Sequence, residues 1–339
     1  MIQTLLNTLY VQTQGAYLHL DHDTLKIEVD NHLKLQVPLH HLGGIAVFGN
    51  ILLSPFLIHR CAQDGREISW FGVNGRFQAR LSGPISGNVL LRRDQHKALD
   101  SPERTLYLAC RFIESKLKNT RLVLQRAVRE RGPTLAVKAA ITEQKRALHK
   151  LSQANSLDEA RGLEGQAASA YFAAFKDLIL PKEFTLLTRV KRPPRDPINA
   201  LLSFLYSLLA VDCVAALEGV GLDSQVGYLH ALRPGRPALA LDLMEEFRAW
   251  WTDRLTLALI NRRQLSSRHF TRRPGGAVHL NEGGRKEVLV AYQKRKQEKV
   301  RQPYFKEPVP IGLLPHVQAR MLARYIRGDI DRYLPFIGK

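Results

Sequence analysis

Alternation of apolar and polar residues is the dominant pattern in the first 80 positions of the chain. Period-two alternation is typical of half-buried strands, and a short apolar run between glycines is typical of a buried strand. On this basis strands are predicted at residues 16–20, 25–29, 33–37, 43–49, 67–71 and 76–81, with one short helix at 54–63. The sequence therefore predicts a small N-terminal β domain.

Helical periodicity replaces this alternation after a turn-rich stretch at residues 83–87. N-cap residues, prolines in the first turn and apolar residues at helical spacing mark the helix starts. Helices are predicted to begin near residues 101, 156, 196, 238, 284 and 315, the last three ending near 262, 302 and 327, with a short hairpin around 274–276. The predicted fold class is α+β multidomain, with a β domain at 1–85 and a large, mostly α-helical domain at 86–339.

The charge distribution follows the same division of the chain. Residues 1–90 contain six Lys or Arg and six Asp or Glu, so the whole formal net charge of +19 lies in residues 91–339. A basic balance of this size indicates a polyanionic partner, usually nucleic acid or an anionic membrane. A generic solubility charge is not expected to segregate in this way, so the chemistry is expected in the helical part.

Several classes of protein are disfavoured. The chain has three cysteines and no C-x-x-C pair, which argues against a disulfide framework or a thiolate zinc site and fits a reducing cytoplasm. No Lys or Arg precedes Lys26, so the basic start of a signal peptide is missing. The apolar stretch at 197–211 is shorter than the roughly 20 residues of a membrane span and predicts a buried core helix. Motifs for zinc proteases, P-loops, dinucleotide binding and hydrolase elbows are absent from the sequence.

Glu164 is the first candidate for chemistry. It lies inside the helix that begins at Ser156, and Ala167 and Ala168 follow it by one turn. Small residues there leave space beside the carboxylate, which can admit either a metal with a phosphate or a neighbouring helix. These residues alone leave both interpretations open.

A second group of candidates lies at 230–246. On a helix, Asp242, Glu245 and Glu246 share one face, whose ordinary interpretation is a solvated acidic surface. The basic surroundings favour a cation site instead, because a divalent ion neutralises clustered carboxylates while the basic surface attracts phosphate. His230 precedes them, although an isolated histidine is usually only a hydrogen-bonding side chain. One imidazole with carboxylates suits Mg²⁺ or Mn²⁺ rather than zinc.

Three segments occur in order in the helical part: Glu164 followed by Gly-Gln-Ala-Ala, Tyr-Leu-His at 228–230, and Asp-Leu-Met-Glu-Glu-Phe-Arg at 242–248. In this order and spacing they resemble the CRISPR-associated endonuclease/integrase family that acquires new spacers. The resemblance extends over the whole chain, including the helix start at 196–202. The tail at 327–335 resembles the subtype I-C branch.

The resemblance implies a site and a reaction. Glu164, His230 and Glu245 would be the ligands of Mg²⁺ or Mn²⁺, with Asp242 as a supporting acidic residue of the catalytic site. Many relatives have Asp in place of Glu245, whose longer side chain keeps the charge. The 3′-hydroxyl of a captured DNA fragment would attack a phosphodiester at the edge of a CRISPR repeat, and water in its place would make the site a nuclease.

The resemblance also implies partners. These are double-stranded DNA (captured fragments and the repeat), a second copy of the chain, with the β domain expected to dimerise, and a small ferredoxin-like adaptation protein. Basic residues expected to hold the DNA backbone are Lys191, Arg192, Arg195, Lys294, Arg295, Lys296, Arg320 and Arg324. A generic solvated basic face is the alternative for each of them. Tyr171 and Tyr206 are expected in the core rather than against a DNA strand.

Two other functions remain open from the sequence. One is a metal-dependent, structure-specific nuclease that cuts branched DNA with the same three residues and joins nothing. The other is a non-catalytic, basic nucleic-acid-binding scaffold, in which replacing Glu164, His230 or Glu245 would change only stability.

Overall fold

The structure is a computed structural model that describes residues 8–81, 83, 89–190, 193–301 and 308–338. The described residues form two compact units, one drawn from Met1–Ser86 and Leu280–Leu313 and the other from Gly87–His279 and Leu314–Lys339. An N-terminal β region followed by a mostly helical region confirms the predicted fold class. The domain boundary after residue 85 stays a prediction, but residues 280–313, which the sequence analysis assigned to the helical domain, group with the first unit.

Two four-stranded sheets form the framework of the first unit. Their strands are β1 (Thr8–Val11), β2 (Tyr17–Asp21), β3 (Thr24–Val29), β4 (His32–Pro38), β5 (Gly44–Phe48), β6 (Leu52–Leu53), β7 (Glu67–Phe71) and β8 (Phe77–Arg80). One sheet has the order β1-β5-β7-β8, in which only β8 is antiparallel to its neighbour. The other has the order β4-β3-β2-β6, with β6 parallel to β2. Leu18, Leu25, Val47 and Ile68 are fully buried in the core of this unit.

Helices form most of the remaining structure. They are α1 (Pro55–Gln63), α2 (Val89–Asp100), α3 (Pro102–Arg131), α4 (Leu135–Leu151), α5 (Leu157–Phe175), α6 (Pro197–Gly219), α7 (Ala238–Met244), α8 (Arg254–Asn261), α9 (Glu282–Gln297) and α10 (Leu314–Arg327). Short strands β9 (Phe270–Arg272) and β10 (Val278–Leu280) form the predicted hairpin, and β11 (Lys299–Val300) pairs with β12 (Val309–Pro310). Of these elements, α1, α9, β11 and β12 belong to the first unit.

Side-chain caps explain where the predicted helices begin. Ser101, Ser156 and Asp196 each accept a hydrogen bond from a backbone N–H in the first turn of α3, α5 and α6. The sequence analysis missed α2 and α4. The buried side of α4 contains two alanines and Gln144, which give a weak apolar period.

The helix predicted over 238–262 is interrupted, so that prediction was wrong in its continuity. The first part, α7, ends at Met244, a π-helical segment spans Arg248–Asp253, and α8 follows. Short π-helical segments occur frequently at functional sites. The break places the residues on its two sides in different surroundings.

The apolar helix α6 packs against α7, α10 and the π-helical segment. By length and composition alone it could cross a membrane, but most of its apolar window is buried inside the protein. This burial agrees with the core helix predicted at 197–211. Within the same unit, α3 contacts α5, α7 and the π-helical segment. These contacts bring the candidate site residues together.

Candidate metal centre

Glu164, His230 and Glu245 come from three parts of the second unit and meet in one cluster. Glu164 lies on α5, His230 in the loop before α7, and Glu245 directly after α7. Lys116, from α3, contacts the carboxylate of Glu164 and lies 2.8 Å from Oε2 of Glu245. The Nε2 atom of His230 lies 3.8 Å from Oε1 of Glu245. The structure therefore brings together the three residues predicted as metal ligands.

Asp242 fixes the loop that carries His230. It is fully buried, and its Oδ2 accepts hydrogen bonds from the backbone N–H groups of Tyr228 and Leu229 at 2.6 and 2.9 Å. Its Oδ1 accepts from the backbone N–H of His230 at 2.9 Å and from Nδ1 of the ring at 2.6 Å. A carboxylate is an acceptor, so Nδ1 carries the proton and Nε2 keeps its lone pair. Metal-binding histidines are oriented in this way.

Opposing charges surround Glu245, which is 2% exposed. An Nη1 atom of Arg248 lies 2.7 Å from its Oε1. Burial by itself raises the pKa of the Glu245 carboxyl, but Arg248, Lys116 and His230 outweigh burial and lower that pKa to about 2. Burial also opposes the charge of Lys116, yet Glu245 and Glu164 hold the pKa of its ammonium above the ordinary value. Glu245 and Lys116 are therefore both charged at neutral pH.

The donor set has the chemistry that a divalent ion requires. Two carboxylates and one imidazole nitrogen with a free lone pair suit Mg²⁺ or Mn²⁺. The Oε2 atom of Glu245 is buried and forms an ion pair with Lys116 but no hydrogen bond, so it keeps an acceptor position. As the side chains stand, no three His, Cys, Asp or Glu residues within the described ranges have the spacing of a formed metal site. Lys116 supplies the positive charge between Glu164 and Glu245 instead.

Glu246 does not belong to this cluster. It is fully buried and accepts hydrogen bonds from Gln318 Nε2 at 2.9 Å, from the backbone N–H of Phe336 at 2.7 Å, and from the hydroxyl of Tyr333. The predicted acidic face shared by residues 242, 245 and 246 was therefore wrong. The reason is the helix break after residue 244, which turns Glu246 toward the C-terminal tail.

Three charged residues of the site were missed from the sequence. Lys116 and Arg248 contact the candidate ligands directly. Arg161 donates to the carbonyl oxygen of Leu229 from Nε and Nη2, at 2.8 and 2.6 Å, and so holds the His230 loop from the other side. Arg161 lies one helical turn before Glu164, and that spacing was an available signal. Lys116 is far away in the sequence, and no pattern connects it to the site.

A second buried carboxylate lies behind the cluster. Asp253 accepts hydrogen bonds from the hydroxyl groups of Tyr171 and Tyr206 at 3.0 and 2.7 Å. The guanidinium of Arg248 lies 5.0 Å from the ring centroid of Tyr206, which connects this group to Glu245. Tyr171 is buried and Tyr206 is half-buried, in line with the core positions expected for them. Burial raises the pKa of the Asp253 carboxyl to about 6 against the effect of the two hydroxyl donors.

The basic residues predicted to contact DNA differ in accessibility. Those with exposed side chains are Arg195, Lys294, Arg320 and Arg324. Arg295 is half-buried and forms an ion pair with Glu298. Lys296 is 5% exposed, with its ammonium 6.0 Å from the ring centroid of Tyr292, so burial argues against a direct DNA contact by this residue. Lys191 and Arg192 lie outside the described residues.

Comparison with known proteins gives one consistent family. Residues 9–294 match the model of the family described as CRISPR associated protein Cas1. The chain is 52% identical to CRISPR-associated endonuclease Cas1 1 of Moorella thermoacetica over 338 residues, 98% of each chain. It is 49% identical to CRISPR-associated endonuclease Cas1 2 of Rhodospirillum rubrum, with 100% of both chains covered.

Solved structures share this fold. A CAS1 protein from Thermotoga maritima superposes with a TM-score of 0.81 at 23% identity, covering 94% of this chain and 97% of that one. A casposase bound to its integration product superposes with a TM-score of 0.84 at 25% identity, covering 96% and 92%. The fold described above is therefore found in an enzyme captured with joined DNA.

Proposed function

This chain belongs to the Cas1 family of CRISPR-associated endonucleases, and we propose that it is a metal-dependent DNA integrase. It joins the 3′-hydroxyl ends of captured double-stranded fragments to a CRISPR repeat. The observation that carries this proposal is the cluster of Glu164, His230 and Glu245 in the strongly basic second unit. The likeness to a casposase with an integration product supports joining over cleavage alone.

The proposed cofactor is Mg²⁺ or Mn²⁺, held by Glu164, His230 and Glu245. Bound there, the ion polarises a phosphodiester and stabilises the charge that develops on its oxygens. Asp242 keeps Nε2 of His230 free of its proton and aimed at the cluster. Arg248 holds the Glu245 carboxylate from the side of the protein core.

The proposed reaction is a transesterification. The 3′-oxygen of the fragment forms a new bond to phosphorus, the bond from that phosphorus to the 3′-oxygen of the repeat strand breaks, and the proton of the attacking hydroxyl passes to the departing oxygen through solvent. The number of phosphodiester bonds is unchanged, so no external energy source is required. Water in place of the hydroxyl gives the endonuclease reaction.

The proposal extends to DNA and partners. The exposed Arg195, Lys294, Arg320 and Arg324 hold the phosphate backbone of the fragment or the repeat, without reading its sequence. The chain works as a homodimer, and two such dimers flank a dimer of the small ferredoxin-like adaptation protein. Assignment to the subtype I-C branch and to the cytoplasm is part of the same proposal.

Strand transfer by the purified chain, with and without the adaptation partner, tests the proposed reaction. The donor is a short duplex with free 3′-hydroxyls, the target is a supercoiled plasmid with a repeat, and the metal is Mg²⁺ or Mn²⁺. We expect Glu164→Gln and His230→Asn to reduce joining by about 100-fold or more, because each removes a ligand from the ion that stabilises the transition state.

Matched controls are Glu287→Gln and His149→Asn, which change exposed residues of the same types and should leave joining intact. Metal-dependent cleavage without joining would favour a structure-specific nuclease that acts on branched DNA. Intact DNA binding with no metal-dependent chemistry under any condition would leave only a nucleic-acid-binding scaffold.

A further inference from the structure

Lys116 has an unusual position for a lysine. It lies near the middle of α3, a helix of 30 residues, and its side chain is only 13% exposed. Its ammonium contacts Glu164 on α5 and lies 2.8 Å from Glu245 after α7. Three separate elements of the second unit therefore meet at one buried positive charge.

This positive charge is what keeps the two carboxylates together. Arg248 contacts only Glu245, and among the ion pairs of the described residues only Lys116 reaches both Glu164 and Glu245. Without a cation between them, two buried carboxylates would repel each other strongly, because the low dielectric of the interior screens charge poorly. Lys116 thus does, from within the chain, what a divalent ion does in a formed metal site.

The ammonium and a divalent ion compete for the same oxygens. A metal ion needs a lone pair on Glu164 and one on Glu245, and Lys116 contacts Oε1 of the first and Oε2 of the second. An ammonium left within 3–4 Å of a bound ion, roughly contact distance, would face it as a like charge. The flexible four-carbon stem of lysine allows the ammonium to withdraw.

We propose that Lys116 is a placeholder cation, which holds the two carboxylates together when no metal is bound and is displaced when a divalent ion enters. This inference rests on the proposed metal site. It makes metal affinity a balance, since the ion must overcome the Lys116 contacts. The site then stays assembled at low metal concentration instead of opening.

Binding of Mn²⁺ alone to the full-length chain, without DNA, tests this inference by calorimetry. Lys116→Met removes the charge and keeps the length, and Lys116→Gln is a second, polar variant. The matched control is Lys118→Met on the same helix, where the lysine is about one third exposed and pairs with Glu114. We expect the Kd for Mn²⁺ to fall about tenfold or more in both Lys116 variants and to stay unchanged in the control.

Thermal unfolding gives a second readout. Both Lys116 variants should melt below the parent protein without metal, and saturating Mn²⁺ should raise their Tm by more than it raises the Tm of the parent. If a variant is unfolded without metal, recovery of its fold on adding Mn²⁺ supports the placeholder role, and failure to recover contradicts it.

The outcomes separate this inference from the proposed function. If the parent binds Mn²⁺ and the Lys116 variants bind it equally or more weakly, Lys116 supports the site and is not a placeholder. If the parent binds no Mn²⁺ at all, the proposed metal centre fails, and the inference fails with it.

Discussion

Asp242 shows at the scale of one residue how this protein prepares its candidate site. Its two oxygens accept from three consecutive backbone N–H groups and from the imidazole of His230. We predict that Asp242→Asn lowers the free energy of unfolding by about 2–4 kcal/mol, because an amide cannot accept from all four donors. The Kd for Mn²⁺ should rise about tenfold to a hundredfold as His230 loses its orientation.

Urea denaturation and a Mn²⁺ titration measure these two effects. The exposed Asp331→Asn is the control for the same chemical change and should leave both quantities unaltered. An Asp242→Asn protein with parental stability and metal affinity would show that this hydrogen-bond network does not position His230.

Asp253 predicts a dependence of stability on pH. Burial raises the pKa of its carboxyl from 3.8 to about 6 in the folded protein. Between these two values the folded protein therefore binds more protons than the unfolded chain, and the free energy of unfolding falls as pH rises through this window, by about 3 kcal/mol from this group. Asp253→Asn cannot titrate, so its stability relative to the parent should increase by that amount between about pH 4 and pH 7.

Chemical denaturation of both proteins at several pH values checks this prediction. The relative stability of Asp331→Asn should be flat over the same range, since that residue is exposed. A flat profile for Asp253→Asn as well would mean that Asp253 ionises in the folded protein as it does in water.

The sequence predicted the acidic and imidazole residues of the site but not its cations. Glu164, His230 and Glu245 stand in segments whose order and spacing are distinctive, and the fold brings them into one cluster. Lys116 is one of many basic residues, and only the packing of α3 against α5 and α7 distinguishes it. Long-range ion pairs leave no periodic trace in a sequence.

At the scale of elements, the break after α7 is the largest departure from the sequence-based prediction. Apolar residues continue at helical spacing through 243–251, so the local pattern favours an unbroken helix. The C-terminal tail stabilises the break from a distance, because Glu246 accepts hydrogen bonds from Tyr333 and from the backbone of Phe336. Tertiary contacts of this kind override a local period. Strands and capped helices, whose signals are local, were predicted well.

Two glycines give a prediction at the same scale. Gly165 lies inside α5 beside Glu164, and a Cβ added there meets open space. Gly227 lies before the His230 loop, and a Cβ there would approach the backbone of Ala238 to 2.6 Å. We expect Gly165→Ala to stabilise the protein by about 0.5–1 kcal/mol, because alanine favours the helix. Gly227→Ala should destabilise it by about 1–3 kcal/mol through overpacking.

Thermal and urea denaturation of the two variants distinguish these effects. They are controls for each other, since the same methyl group is added in open space and in a crowded one. Destabilisation by Gly165→Ala would show that the space beside Glu164 is needed within the folded chain itself.

At the scale of the whole molecule, charge separates the two compact units. Residues 1–86 have no net charge, and residues 280–313 contain eight Lys or Arg and four Asp or Glu, so the first unit has a net charge of +4. The second unit has the remaining +15 together with the candidate site. A polyanion is therefore attracted mainly to the unit that contains the carboxylates and His230.

DNA binding should follow this division of charge. Arg320 and Arg324 are exposed and one turn apart on α10, in the second unit. We predict that replacing both with Glu weakens duplex binding about tenfold or more and reduces the slope of log affinity against log salt by about 2, because two phosphate contacts are lost. Fluorescence anisotropy at several salt concentrations measures both quantities.

The control changes two exposed basic residues of the first unit, Lys34 and Arg76, to Glu. It alters the net charge of the molecule by the same amount. If net charge alone governed binding, the two double variants would lose the same affinity and have the same salt slope. If α10 contacts the duplex, only Arg320→Glu with Arg324→Glu lowers the slope, since counterions are released only where phosphates are neutralised. Equal losses would therefore remove α10 from the proposed DNA-binding surface and leave only a long-range attraction.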